Sequence, residues 1–87
     1  MSTGEDLTDR IRRVISEHAH LPVDISTVDD DTDLFQVGMT SHASVNVMLG
    51  LESAFDIEFP DAMLKRSVFQ SVSAIRAAIS RLTAAAA

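Results

Sequence analysis

The sequence predicts an all-α fold, a small four-helix bundle of three principal helices plus one short helix, with a long loop between helices one and two. Three observations predict it. Apolar residues recur at helical spacing in three separate stretches, no stretch sustains the apolar/polar alternation of a strand, and no internal repeat is visible. With 87 residues, 46% of them hydrophobic but only four Phe and no Tyr or Trp, the chain can fill one modest aliphatic core. A single domain over residues 1–87 is expected, with its core at about residues 5–82 and an alanine-rich tail fraying over 83–87.

Helix one is signalled by Leu7, Ile11, Val14, Ile15 and His18, which fall on one face. Ser2 and Glu5 have capping-box spacing, and Thr3 is a competing cap. Pro22 limits the far end, because the residue before proline is biased away from helical angles. The helix should cover roughly residues 4–19, with His18 at the core edge and His20 terminating it.

Between Leu21 and Thr40 the helical period disappears while Leu21, Val23, Ile25, Val28, Leu34, Phe35 and Val37 keep apolar residues coming. This predicts a long loop anchored to the core, and connections of this length in compact domains are usually functional or disordered. The apolar anchors argue against disorder.

Thr40 is a competent N-cap, and the period from Ser41 to Phe55 is helical. Advancing by about 100° per residue places Val47, Met48, Leu51 and Phe55 toward the core and His42, Asn46, Leu49 and Ser53 outward. Gly50, also on the outward side, costs about 1 kcal/mol relative to alanine. It marks either a close approach by a partner or a position that tertiary packing tolerates. Pro60-Asp61 opens a short third helix through Ala62, Met63, Leu64, Lys65 and Arg66, since proline suits a first helical turn. Ser71 caps a last helix carrying Val72, Ile75, Ile79 and Leu82 on one face.

Charge narrows the choice of partners. Seven Lys plus Arg against 13 Asp plus Glu give −6, which disfavours nucleic acid and anionic membrane surfaces. No cysteine is present, so disulfides, thiolate metal sites and cysteine nucleophiles are excluded and any thiol must be added after synthesis. The N-terminus has neither basic flank nor apolar run, and no apolar segment approaches membrane-spanning length. A soluble, cytoplasmic protein, monomeric when free, is expected.

Two constellations imitate chemistry. Asp29, Asp31 and Asp33 occupy positions 1, 3 and 5 of a calcium loop, but position 6 is Leu34 rather than glycine and position 12 is Thr40 rather than glutamate. No metal site is expected; the acids read as a solvated turn that caps and orients the loop. Ser41-His42 suggests a nucleophile and base, yet adjacent helical residues diverge by about 100°. The flanking residues also lack the G-x-S-x-G pattern. An autonomous hydrolase is therefore disfavoured.

The ordered combination Leu34-Phe35-x-x-Gly38-x-x-Ser41, an apolar helix, Leu51-Glu52-x-x-Phe55-x-Ile57-x-Phe59-Pro60-Asp61, a short helix and a final capped helix resembles the acyl carrier and peptidyl carrier protein family across essentially the whole chain. The resemblance implies a non-catalytic four-helix carrier whose serine at the start of helix two, here Ser41, is esterified by 4′-phosphopantetheine drawn from coenzyme A. It implies a phosphopantetheinyl transferase, a cargo-loading ligase and a downstream acceptor enzyme as partners. A phosphodiester at that point suits the free N–H groups and dipole of a helix N-terminus.

The sequence departs from the family in informative ways. Where the family usually has Asp-Ser-Leu, this chain has Thr40-Ser41-His42, so the cap persists without its charge. Fatty-acid carriers typically present acids along helix two, whereas Glu52 is the sole acid in residues 41–55, and helix three carries Lys65 and Arg66. His42, Asn46, Leu49, Ser53, Lys65, Arg66 and Thr40 are thus candidate partner contacts, recognised mainly through shape, apolar contact and hydrogen bonds. The neutral site resembles small stand-alone carriers of amino acids, loaded in trans by synthetase-like amino acid:carrier protein ligases. A carrier of fatty-acid or polyketide intermediates ranks second, and an unmodified helical interaction module is the alternative from another class.

Overall fold

Ile11, Val14 and Ile15 form one apolar stripe and are all buried in the first helix, α1 (Leu7–His18). A computed structural model describes the backbone of residues 7–86 and the side chains of residues 7–83, so Ser2, Thr3, Glu5 and the expected helix start at residue 4 lie outside the described residues. Ala19 still donates its N–H to the Ile15 carbonyl at 2.8 Å, and His20 then turns left-handed with φ 52°. That conformation ends the helix just before Pro22.

The second helix, α2 (Ser41–Phe55), buries Ala43, Val47 and Leu51. The core face is therefore rotated from the expected Val47-Met48-Leu51-Phe55 stripe. Met48 and Phe55 are only half-buried, at the margin of the core. The third helix, α3 (Val72–Ala86), is capped by the Ser71 hydroxyl, which accepts the Ala74 N–H at 3.0 Å. Its buried face comprises Val72, Ile75, Ala78 and Ile79. The helical backbone continues through Ala84, Ala85 and Ala86, where alanine carries the smallest helix cost. Ala87 lies outside the described residues.

α1 packs against both α2 and α3. α1 and α2 approach closely at Gly50: a Cβ there would lie 2.6 Å from His18 Cδ2, 2.8 Å from His18 Nε2 and 3.0 Å from Val14 Cγ1. The close approach at Gly50 comes from within the chain. Nearby, the Arg10 guanidinium lies 4.3 Å from the Phe55 ring centre and donates to the Ala54 carbonyl at 2.9 Å, tying α1 to the end of α2.

The long loop is ordered by a few anchors. Ile25, Val28, Leu34 and Met39 are buried, whereas Val23, expected among the anchors, is exposed. Leu34 is fully buried; its N–H donates to the Gln70 carbonyl at 2.7 Å, and its own carbonyl accepts the Met39 N–H at 3.0 Å. The acids serve the loop itself. Asp24 caps a 3₁₀ turn, Ile25–Thr27, accepting the Ser26 N–H at 2.9 Å and the Ser26 hydroxyl at 2.8 Å. These bonds hold its carboxyl below the usual value. Asp30 pairs with Arg12, and Asp33 accepts from the Phe35 N–H at 2.9 Å and the Gln70 side chain at 3.1 Å.

The expected short third helix resolves into two 3₁₀ turns, Asp61–Met63 and Arg66–Val68. Leu64 and Lys65 break the helical path between them, with Lys65 extended at φ −125° and ψ 150°. Neither turn has a side-chain cap, and so short a segment cannot repay the cost of helix nucleation. Exposed Leu64 gives the segment no apolar anchor at its middle.

Two consequences for stability follow. In urea denaturation, Gly50→Ala should lose about 1 kcal/mol by overpacking against His18, despite alanine's better helix propensity. In a His18→Ala background the same change should instead gain about 0.5 kcal/mol; equal effects in both backgrounds would refute the contact. Gly38 has φ 120°, and a Cβ there would meet Pro22 Cδ at 2.7 Å. Gly38→Ala should therefore cost about 2–3 kcal/mol, read as a lowered thermal midpoint; an unchanged midpoint would contradict the steric argument.

Candidate functional site

The sequence around the start of α2 alternates between core and solvent. Gly38 makes the left-handed turn that only glycine takes without strain, and Met39 then drops into the core, 3% exposed. Thr40 is extended at φ −86° and ψ 165°; its hydroxyl accepts the Ala43 N–H at 3.0 Å and its carbonyl the Ser44 N–H at 2.9 Å. Thr40, Ser41 and His42 consequently sit exposed at the helix entrance. The Ser41 carbonyl accepts the Ser44 hydroxyl at 2.6 Å, while the Ser41 hydroxyl has no hydrogen bond to the described residues. The first N–H groups of α2 lack intrahelical partners, as at any helix start, and carry the positive end of its dipole.

Ser41 borders an open pocket of about 350 Å³. Val45 and Met48 of α2 form one wall, and Leu64 and Phe69 form the other. Phe69 is held by an edge-to-face contact with Phe59, the ring centres 5.2 Å apart. Phe35 closes one end, with the Arg66 guanidinium 4.0 Å above its ring centre, and Lys65 stands beside Arg66 at the lip. Among the described residues no carboxylate lines this pocket. Val45 and Leu64 remain 49% and 46% exposed, so the apolar walls continue onto the surface.

The candidate contacts divide between two surfaces. Ser41, Lys65 and Arg66 share the pocket just described. Asn46, Leu49 and Ser53 instead face a second groove, bordered across from them by Glu17 and His18 of α1. His42 is exposed and borders neither. Glu52, the sole acid of α2, accepts the Phe59 N–H at 2.9 Å, so its carboxylate is engaged within the chain.

Sequence reasoning missed Ser44, Val45 and Met48 as companions of Ser41. Their spacing from it, at three, four and seven residues, places them on one helical stripe and could have found them. Assigning Met48 to the core concealed that stripe. The burial of Ala43 turns the core face toward Val47 and releases Met48 and Val45 to the pocket. What the site offers is an exposed hydroxyl beside an apolar, cation-lipped pocket. His42 points away from that hydroxyl by helical geometry, so no base is paired with it.

Comparison with known proteins agrees with this geometry. Residues 9–82 match the family model described as phosphopantetheine attachment site. The chain is similar to an aminoacyl carrier protein of Agrobacterium fabrum, 48% identical over 65 residues that cover 75% of this chain and 78% of the relative. It is also 31% identical over 70 residues to aminoacyl carrier protein 1 of Bradyrhizobium diazoefficiens, covering 80% and 78% of the two chains. Among solved structures it is similar to a carrier protein from Agrobacterium tumefaciens, crystallised with an engineered Bradyrhizobium japonicum glycine:carrier protein ligase and ATP. That match has a TM-score of 0.87 and 40% identity, covering 88% of this chain and 100% of the other. The family model spans residues 9–82 of this helical frame, so the chain belongs to the phosphopantetheine attachment site family: it is a carrier protein whose cofactor is covalent 4′-phosphopantetheine.

Proposed function

We propose that Ser41 is the residue that bears the phosphopantetheine and that the cargo is an amino acid, loaded in trans by an amino acid:carrier protein ligase. The observation that carries this reading is the position of Ser41: exposed, first in α2, and at the mouth of a pocket without carboxylates. The residues present fit the group. A phosphodiester on Ser41 Oγ would meet the free N–H groups of α2 and the cations of Lys65 and Arg66, with no acid lining the pocket to oppose it.

In the attachment step the Ser41 hydroxyl attacks the pantetheine-bearing phosphorus of the coenzyme A pyrophosphate. The Oγ–P bond forms, the P–O bond to adenosine 3′,5′-bisphosphate breaks, and the serine proton leaves to a base of the transferase. When bound, the group supplies the thiol that this cysteine-free chain lacks and through which cargo is held as a thioester. The chain itself presents and orients; transferase, ligase and acceptor enzyme perform the bond chemistry, all in the cytoplasm.

Two features support an amino acid cargo. The relatives at 48% and 31% identity are aminoacyl carrier proteins. The pocket beside Ser41, about 350 Å³, lies at the small end of the ~300–1,000 Å³ range of ligand cavities and gives a long acyl chain little shelter.

Incubation with coenzyme A and a broad-specificity phosphopantetheinyl transferase should add one phosphopantetheine mass to the intact protein, and Ser41→Ala should abolish the gain. A gain that survives in Ser41→Ala would place the attachment elsewhere. The holo protein should then accept an amino acid from a glycine:carrier protein ligase. Its apparent affinity for that ligase should change less than about tenfold between 50 and 200 mM salt, because α2 carries a single acid, Glu52, which is already bonded to the Phe59 N–H. A steep loss of affinity with salt would contradict that docking mode.

A further inference from the structure

The segment of residues 61–68 also borders α3, and an open trench of about 360 Å³ runs between them. Met63, Val68 and Ala77 belong to its apolar lining; Lys65, Ser67 and Arg81 are its exposed polar side chains. Among the described residues no carboxylate lines it, and Asp61, which opens the neighbouring turn, stands outside the lining. In a chain of 13 acids and seven bases, each base has acids to choose from. Arg12 pairs with Asp30, Arg10 donates to the Ala54 carbonyl and Arg66 stacks on Phe35. Lys65 and Arg81, by contrast, have no hydrogen bond, ion pair or ring contact to the described residues. The acid-rich loop is held away from Arg81, at the start of α3: the Asp30 carbonyl accepts the Ser73 N–H at 2.9 Å, and Asp33 accepts from Gln70 at 3.1 Å. Arg81 lies about 12 Å of helix rise beyond Ser73. A chain that is acidic as a whole is thus cationic along this trench.

We infer that the trench between residues 61–68 and α3 is a docking surface for an acidic amphipathic helix of a partner protein, whose carboxylates meet Lys65 and Arg81 while an aliphatic side chain between them rests on Met63, Val68 and Ala77. Charge complementarity selects this occupant. A net charge of −6 repels an acidic surface elsewhere on the chain, so the two unpaired cations admit one here and fix its orientation. A long polyanion would meet that repulsion along its whole length, and a single small anion would leave the apolar lining uncovered. A helix satisfies both parts of the trench, with its carboxylates on one stripe and its apolar side chains on the next. Ser41 does not line this trench, so a partner seated here holds the carrier without occupying the start of α2. The inference goes beyond the carrier reading and is independent of what Ser41 bears.

The probe is a synthetic amphipathic helical peptide with a glutamate one turn to either side of a leucine, and its counterpart carries glutamine at both places. Titrated into the ¹⁵N-labelled full chain, the acidic peptide should shift the amide resonances of Ser67, Ala77 and Arg81 and leave those of Ser41 and Ala43 in place. The glutamine peptide should bind about fivefold more weakly or worse, and added salt should weaken the acidic one. Arg81→Glu should cost the acidic peptide about tenfold or more, because attraction becomes repulsion. Arg81→Lys should retain most of the binding. Arg76→Glu, about 140° round α3 from Arg81, should change it by less than about twofold. Ser41→Ala should bind as the wild type does, which separates this result from that of the attachment experiment. Absence of binding, equal affinity for the two peptides, shifts centred on α2, or equal losses in Arg76→Glu and Arg81→Glu would each overturn the proposal.

Discussion

The structure depends on the fixing of Leu34. Its side chain is fully buried, its N–H is bound by the Gln70 carbonyl, and its carbonyl is bound by the Met39 N–H. One residue thereby joins the long loop to the segment before α3 and to the approach of α2. Truncating a fully buried leucine typically costs about 2–5 kcal/mol. Here the loss would reach further than a cavity, because the register of Met39, Thr40 and Ser41 is set from the same point. Backbone bonds and apolar burial act together: each bond would be weak in water, but sheltered by Leu34 and Met39 they hold one geometry.

Once Leu34 is fixed, the rest of the site follows from short-range rules. Gly38 turns the chain because Pro22 leaves no room for a Cβ, Met39 is buried, and Thr40 closes the first turn of α2. Ser41 then opens α2 facing solvent, its hydroxyl without a hydrogen bond to the described residues. Across the pocket, the segment of residues 61–68 is broken: Lys65 is extended, Arg66 opens a 3₁₀ turn, and both line the pocket.

Much of this was legible in the sequence, for reasons that differ by element. The α2 start was readable because capping is local: Thr40 and the apolar period that follows suffice. Helix α3 was readable from Ser71 for the same reason. The exact core face of α2 was not, because the burial of Ala43 in preference to Met48 is decided by tertiary packing, which periodicity does not encode. Gly50 required a partner from another helix, His18, before its role could be assigned. The segment after Pro60 contained enough helix formers to suggest a helix, and only the absence of caps and of an anchor at Leu64 breaks it in two. The pocket was hidden for a related cause: Phe35, Val45 and Leu64 are far apart in sequence and meet only in the folded chain.

The bond between Glu52 and the Phe59 N–H has a consequence beyond local order. It ties one oxygen of the one carboxylate of α2 to the backbone, so that helix offers a basic partner a single acid already bonded within the chain. Where several carriers share the same solution, enzymes that seize an acidic helix would pass this one by, and enzymes that seat a neutral one would be repelled by its acidic neighbours. Traffic between parallel pools of thioester could then be sorted by subtraction, through a charge withheld rather than a contact added.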